Sequence, residues 1–464
     1  DLFIERINQR NEVLYRGQWE PMTIIPERIR VKGEDDVELF VRVTRHGPLI
    51  SDLIDGTGQP LAFRWTALDP EDGTLEAFLK VNRARNWDEF TAALRGYQAP
   101  MQNFVYADVE GNIGYYAPGA LPVRARGDGT APVEGWSGDY DWVGYAPFEA
   151  LPHDYNPERG YIVTANNQVV PDDYPYMVST VWASPFRAQR IVELVEAEDA
   201  HTIDSFAAMQ ADVVSLQARQ LLPLITQIEP ADERGRAALE LLRGWDGNTS
   251  GESAAAAVYQ AYYNAMAEAI FADELRDLFE DEYTFKTDYH AILLPRVLGG
   301  ELASWCDNVN TPESEGCDVA LREALAAGLE HMAEAQGTDD LTAWRWDRVH
   351  IARFPHDPFD QVDALRPVFS REMPNGGDDF TVNVAPPERD ELYIQRHVPS
   401  YRQIIDLSNL DGSQFMHTTG QSGHPLSSSY DNLLTPWQRV EYMPMRFSAA
   451  AVEEGAAQTL TLTP

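Results

Sequence analysis

The chain has 464 residues, 44% of them hydrophobic and 11% aromatic, which excludes a disordered or fibrous polypeptide and suffices for one large core or two to three domains. Lys and Arg total 36 against 74 Asp and Glu, a formal net charge of −38. Such a surface repels phosphate backbones and anionic lipid, so neither nucleic acid nor a membrane is an expected partner.

Only Lys32, Lys80 and Lys286 are lysines. None follows a Gly, as a phosphate-binding loop requires, and none has a Ser three residues earlier, as a Ser-x-x-Lys hydrolase requires. No Gly-x-Ser-x-Gly elbow and no His-Glu-x-x-His zinc helix occurs either. The longest apolar stretch, 254–272, is broken by Gln260, Asn264 and Glu268 and reads as a helix packed on a core. Neither Met nor a signal peptide opens the sequence, which fits a processed chain or a fragment.

In chain order, the first third reads as β structure. Val37, Leu39, Val41 and Val43 alternate with polar or outward residues, the period of a half-buried strand. Residues 103–106 and 113–116 flank Glu110-Gly111-Asn112 and predict a hairpin. After a Pro/Gly/Trp-rich connection over 127–160, residues 161–165 predict another strand.

From about 186 the period becomes helical. Ile191, Leu194 and Val195 share a face, Leu239, Leu241 and Leu242 precede the stop signal Gly244, and Leu321, Leu325, Leu329 and Met332 follow at helical spacing. The last third returns to strands, with 380–384 and 459–462 as the clearest. The organisation is β-rich over 1–185, mostly helical over 186–346 and β-rich over 347–464, an α+β protein. Cys306 and Cys317 flank a short loop. An even count at that spacing points to a disulfide, worth about 3 kcal/mol on the chain-entropy view, and so to an oxidising compartment. The competing reading is two free thiols in a reducing compartment.

The most unusual chemistry lies in the phrase ending Thr164-Ala165-Asn166-Asn167. Two consecutive amides are poor strand formers, and a carboxamide N–H₂ is a good neutral donor to a developing oxyanion. On residues alone, an Asn-Asn turn capping its own backbone is the simpler reading. Arg187 and Arg190 open the first helix after Trp182-Ala183-Ser184-Pro185; either can clamp a carboxylate or hold site backbone, and a salt-bridged surface role is the plainer one. His350 and His356 are spaced for neither one helix face nor a zinc knuckle and read as structural. The turn from Pro374 to Asp379 offers backbone N–H groups or a cation site, with a plain turn as the simpler reading. His417, His424 and Tyr430 sit in a Gly/Ser-rich stretch that alone decides nothing.

Together these phrases resemble the penicillin acylase family of N-terminal nucleophile amidohydrolases. The resemblance runs through Asp1-Leu2-Phe3-Ile4-Glu5-Arg6, Tyr15-Arg16-Gly17-Gln18-Trp19, Arg45-His46-Gly47-Pro48, Asn103-Phe104-Val105-Tyr106-Ala107-Asp108 and Gly111-Asn112-Ile113-Gly114-Tyr115. It continues through Thr164-Ala165-Asn166-Asn167, the Cys306 to Cys317 segment, the Pro374 to Asn383 segment, Ser400-Tyr401-Arg402 and Gly420-Gln421-Ser422-Gly423. It implies an αββα four-layer sandwich, incomplete here, with a helical block in the middle. It also implies a β-chain portion of an acylase that hydrolyses a linear amide of the penicillin, acyl-homoserine lactone or acyl-peptide type.

By the same resemblance the nucleophile is an N-terminal Ser whose own amine is the base, Asn166 donates its side-chain amide to the oxyanion, and Arg187 orders the site. The Ser, a second oxyanion donor and a small α-chain cut from the same precursor are expected upstream of Asp1, which leaves this chain inert in isolation. A periplasmic or secreted location follows. Some members bind Ca²⁺ near the interchain boundary, and Asp1 falls where one ligand sits, although Val178 stands where a second acidic ligand is expected, with Asp172 and Asp173 nearby. No other cofactor is implied. The alternative is a non-catalytic binding or structural relative that keeps the scaffold without the nucleophile.

Overall fold

The computed structural model describes residues 1–54, 58–284, 286–388, 391 and 393–462. They fall into two compact units, Asp1–Thr164 with Gln168–Trp182, and Ala165–Asn167 with Ala183–Pro464.

The first unit carries thirteen strands among its described residues: β1 (Leu2–Ile4), β2 (Glu12–Tyr15), β3 (Gln18–Pro21), β4 (Thr23–Ile29), β5 (Val37–Thr44), β6 (Gly47–Pro48), β7 (Leu61–Phe63), β8 (Phe104–Ala107), β9 (Ile113–Tyr116), β10 (Pro122–Arg124), β11 (Val133–Glu134), β12 (Trp142–Tyr145) and β13 (His153–Tyr155). They pair in small sheets of two or three strands, with β1 between β11 and β7, and β9 between β13 and β8. The β8–β9 hairpin forms as expected, because Asp108 accepts the backbone N–H groups of Glu110 and Asn112 at 2.9 and 3.0 Å and closes the turn. The β5 strand also forms, but Val37 and Phe40 stay 50% and 58% exposed, so its alternation does not bury one clean face.

Two helices interrupt this β-rich text, α1 (Thr74–Val81) and α2 (Trp87–Leu94), which the alternation argument missed. The signal of α2 is a cap: Asn86 accepts the Glu89 N–H at 2.9 Å, the N-cap bond that starts it, whereas Gly73 before α1 offers no side-chain cap. Phe90 and Leu94 then bury against Tyr116, Leu121 and Leu151.

The expected strand at 161–165 is not present as a strand. Extended backbone becomes a strand only when a second strand satisfies its N–H and C=O groups, and none of the described strands is laddered onto it.

The second unit is built on helices α3 (Phe186–Glu196), α4 (Ile203–Gln210), α5 (Leu216–Ile225), α6 (Glu233–Arg243), α7 (Ala254–Leu275), α8 (Thr287–Leu298) and α9 (Cys317–Gln336). Helix α7 is apolar nearly all round and is accordingly the buried centre of the cluster, with Val258, Tyr259, Tyr262, Met266 and Ile270 at 0% exposure. Each such side chain contributes about 1.5–3 kcal/mol by leaving water. Leu321, Leu325, Leu329 and Met332 pack on it from α9 as their spacing predicts. The two helices approach so closely at Gly328 that a Cβ there would lie 2.5 Å from the Ala261 carbonyl oxygen. Leu239 and Leu242 of α6 are likewise buried and Gly244 caps that helix, whereas Ile191, Leu194 and Val195 of α3 are only half-buried. Cys306 and Cys317 are bonded to each other beside the start of α9.

Beyond α9 the chain returns to short strands, β14 (Ile351–Phe354) with β15 (Arg371–Pro374), and β16 (Tyr401–Ile404), β17 (Gln414–His417) and β18 (Met443–Pro444) in one small sheet. The strand expected at 380–384 is a bend instead. Its backbone is claimed by side chains: Asp378 accepts the Phe380 N–H at 2.8 Å, and the Thr381 hydroxyl donates to the Asp378 and Asn383 carbonyls at 3.1 and 3.0 Å. The strand expected at 459–462 is also absent, with Leu460 and Leu462 84% and 85% exposed and no strand beside them. Among the described residues no helix is long and apolar enough to cross a membrane.

Candidate active site

Asn166 adopts a left-handed backbone conformation, with φ of 63°, a region that Asn tolerates better than other non-glycine residues. Its neighbour Asn167 turns its side chain back and accepts the Ala165 N–H at 3.0 Å. The two amides therefore divide the roles that the sequence left open. Asn167 caps local backbone, and Asn166 is exposed.

Arg187, in the first turn of α3, fixes which way the Asn166 amide faces. Its Nη2 donates to the Ala165 carbonyl at 2.9 Å and to Asn166 Oδ1 at 3.0 Å. With the oxygen occupied, Asn166 Nδ2 is turned away, and it meets no acceptor among the described residues. Burial pushes the Arg187 pKa down, while the nearby Asp288 and Asp379 carboxylates push it back; an arginine so placed stays cationic at neutral pH. The backbone of the site is tied as well: Ala183 N–H donates to the Asn166 carbonyl at 3.1 Å, and Ser184 N–H donates to Asp288 Oδ1 at 2.7 Å. The structure thus brings Arg187 and Asn166 into direct contact. Asp288 was invisible to sequence reasoning and Asp379 stood out only as part of a turn, since nothing local links either to a helix start more than a hundred residues away.

Arg190, the other candidate at this helix start, grips Asp212 through two bonds of 3.0 and 2.7 Å and also pairs with Glu193. It is a salt-bridged arginine and does not touch Asn166.

Asp1 does not fit a calcium ligand. Arg124 takes both of its carboxylate oxygens, Nε to Oδ2 and Nη2 to Oδ1, each at 2.7 Å, and the Trp142 indole N–H adds a third bond to Oδ2 at 2.7 Å. A cation on these oxygens would lie against a guanidinium already neutralising them. Among the described residues no three His, Cys, Asp or Glu side chains gather as metal donors.

The remaining candidates are structural. His350 is fully buried, stacks on Trp346 at 4.4 Å, and donates from Nδ1 to the Tyr393 carbonyl at 2.7 Å; burial pushes its pKa down to about 4. His356 stacks on Phe359 and packs at a tilt beside Phe369, and the Tyr430 hydroxyl donates to the Phe369 carbonyl. In the turn from Pro374, Asp378 is fully buried and accepts from Phe380 N–H and from Gln260 Nε2 at 3.2 Å, and burial pushes its pKa up to about 6.

The sequence matches the model of the family described as "Penicillin amidase" over residues 1–454. It is 31% identical over 489 residues to an acyl-homoserine lactone acylase QuiP of Pseudomonas fluorescens and 31% identical over 482 residues to a penicillin acylase 2 proenzyme of Pseudomonas sp.. Each alignment covers 100% of this chain and 59% of the relative, so the chain spans well under two thirds of the length of these curated relatives. In structure it superposes on a thermostable penicillin G acylase from Alcaligenes faecalis with a TM-score of 0.74 at 23% identity, covering 100% of this chain and 86% of that one.

Proposed function

This chain belongs to the penicillin amidase family, and we propose that it is the portion of an amide hydrolase that supplies the oxyanion-binding amide. In this reading Asn166 Nδ2 donates to the oxygen of the tetrahedral intermediate when the carbonyl of a linear amide is attacked. Arg187 holds Asn166 Oδ1 and so keeps the donor face toward substrate. The nucleophile, a Ser at a chain N-terminus acting with its own amine as base, is supplied by a part of the full-length protein outside these residues, together with a small chain from the same precursor. This chain alone is then inert.

The observation that carries the proposal is the single guanidinium nitrogen shared between the Ala165 carbonyl and Asn166 Oδ1. A neutral donor of fixed orientation stabilises developing negative charge at no cost of reorganisation during reaction. Relatives named as acyl-homoserine lactone and penicillin acylases support a substrate with a hydrophobic acyl group on a linear amide, and a relative named as a proenzyme supports release from a precursor. The Cys306–Cys317 bond supports a periplasmic or secreted location. The test is hydrolysis of a chromogenic acyl-amide by the full-length protein and its Asn166→Ala variant. The variant should lose about 10²–10³ in kcat, the usual effect of deleting one oxyanion donor. Full activity in Asn166→Ala would reassign the role, and hydrolysis by the isolated 464-residue chain would refute the missing-nucleophile part.

A further inference from the structure

Two routes lead from helix α8 to the amide of Asn166, and both start at Asp288. The first is backbone: Asp288 Oδ1 accepts the Ser184 N–H at 2.7 Å, and the adjacent Ala183 N–H holds the Asn166 carbonyl at 3.1 Å. The second is electrostatic and longer-ranged: the Asp288 charge favours the cationic form of Arg187, whose Nη2 holds Asn166 Oδ1 at 3.0 Å. Asp288 sits in the first turn of α8, whose Ala291, Leu294 and Val297 are packed in the core of the unit, so its carboxylate is presented from a rigid element. Asn166 itself lies on exposed backbone in a left-handed conformation, and its carbonyl and Oδ1 are held by Ala183 N–H and Arg187.

We infer that Asp288 is the positioning residue that anchors the backbone of Asn166 to the helical core and, through its charge, supports the Arg187 clamp. It touches no substrate and acts only through the amide. The inference deepens the proposed function and rests on that reading for its catalytic consequence.

Displacing a catalytic donor by about 1 Å costs up to about 10²-fold in rate. Asp288→Ala in the full-length protein should therefore lower kcat about ten- to hundredfold and leave KM within about twofold, the signature of an interaction made only in the transition state. Asp288→Asn keeps an acceptor for Ser184 N–H and removes the charge acting on Arg187, so its smaller loss separates the two routes. Asp288→Glu should recover part of the rate. The Asp288→Ala, Asn166→Ala double variant should be no slower than Asn166→Ala alone.

A second readout does not depend on catalysis. In protein labelled with ¹⁵N-asparagine, the side-chain amide signal that disappears in Asn166→Ala should shift or broaden in Asp288→Ala. Where Asn166→Ala is slow, wild-type kcat in Asp288→Ala or multiplying losses in the double variant would overturn the inference, and an unmoved Asn166 amide signal would overturn it in every case. If Asn166→Ala proves fully active, the catalytic reading fails by itself; the amide signal then decides the positioning role, for it if shifted and against it if not.

Discussion

Two arginines each grip a short polar side chain in this molecule, with opposite chemical results. Arg124 presents its fork to Asp1, covers both carboxylate oxygens, and the Trp142 indole takes what lone-pair capacity remains on one side. Arg187 instead shares one nitrogen between a backbone carbonyl and the oxygen of Asn166, and leaves the amide nitrogen without a protein acceptor among the described residues. The first pair is charge-neutralised and partly buried, so it holds structure. The second has a donor left over and faces outward, so it can act on something else. A polar residue becomes a candidate for chemistry by the capacity left after its neighbours are satisfied, and not by its type or its place in a motif.

The largest expected effect lies at the charge-neutralised pair. Asp1→Ala strips Arg124 of its partner in a setting where the Asp1 side chain is 6% exposed, and breaking a buried pair costs about 3–5 kcal/mol. Urea unfolding of the unit that contains it should show that loss; a change below about 1 kcal/mol would mean that the pair is as weak as a surface one. At the open pair the order reverses. Asn166→Ala should leave the unfolding midpoint nearly unchanged and lower kcat of the full-length protein by about 10²–10³. A stability loss without a rate loss there would erase the contrast.

Asp378 is a third polar side chain held by its neighbours, a buried carboxyl with no arginine bonded to it among the described residues, and it sharpens the comparison through pH. Its folded pKa is raised to about 6 by burial, so its contribution to stability is full below the unfolded value of 3.8 and is lost as pH rises through 6. The shift corresponds to about 3 kcal/mol. His350 carries the opposite slope: its folded pKa is lowered to about 4, so its contribution is full above 6.5 and is lost as pH falls through 4. Stability measured from pH 4 to 8 in wild type and in Asp378→Asn should differ by an increment that grows with pH toward the variant. A constant difference would place Asp378 in a more solvated setting than its burial indicates. The smallest expected effect is none: added calcium should not shift the melting of the Asp1 region, since Arg124 already neutralises that carboxylate. A stabilisation abolished by Asp1→Asn would break the contrast.

Much of the second unit was legible because its code is local. The spacing of Leu321, Leu325, Leu329 and Met332, the stop at Gly244 and the unbroken apolarity of 254–272 each specify a helix and its buried face within a few turns. The hairpin at 104–116 was legible for the same reason, since Asp108 and Gly111 set its turn. The strands expected at 161–165, 380–384 and 459–462 failed because a strand is a property of two segments. Alternation can propose one, but only a partner's backbone or a competing side chain such as Asp378 decides it.

The site divides along the same line. By itself the sequence determined the family, the residue types at Asn166 and Arg187, the Cys306 and Cys317 spacing and the helical core, all written in short phrases or short periods. Only the tertiary structure decided what each of the two adjacent amides bonds to, Asn167 to the Ala165 N–H and Asn166 to Arg187. It likewise assigned Arg190 to Asp212, closed Asp1 against a metal and brought Asp288 to the turn before α3. The physical reason is that hydrogen-bonding capacity is spent between residues distant in sequence. What remains unspent, and so free for function, cannot be counted until they meet.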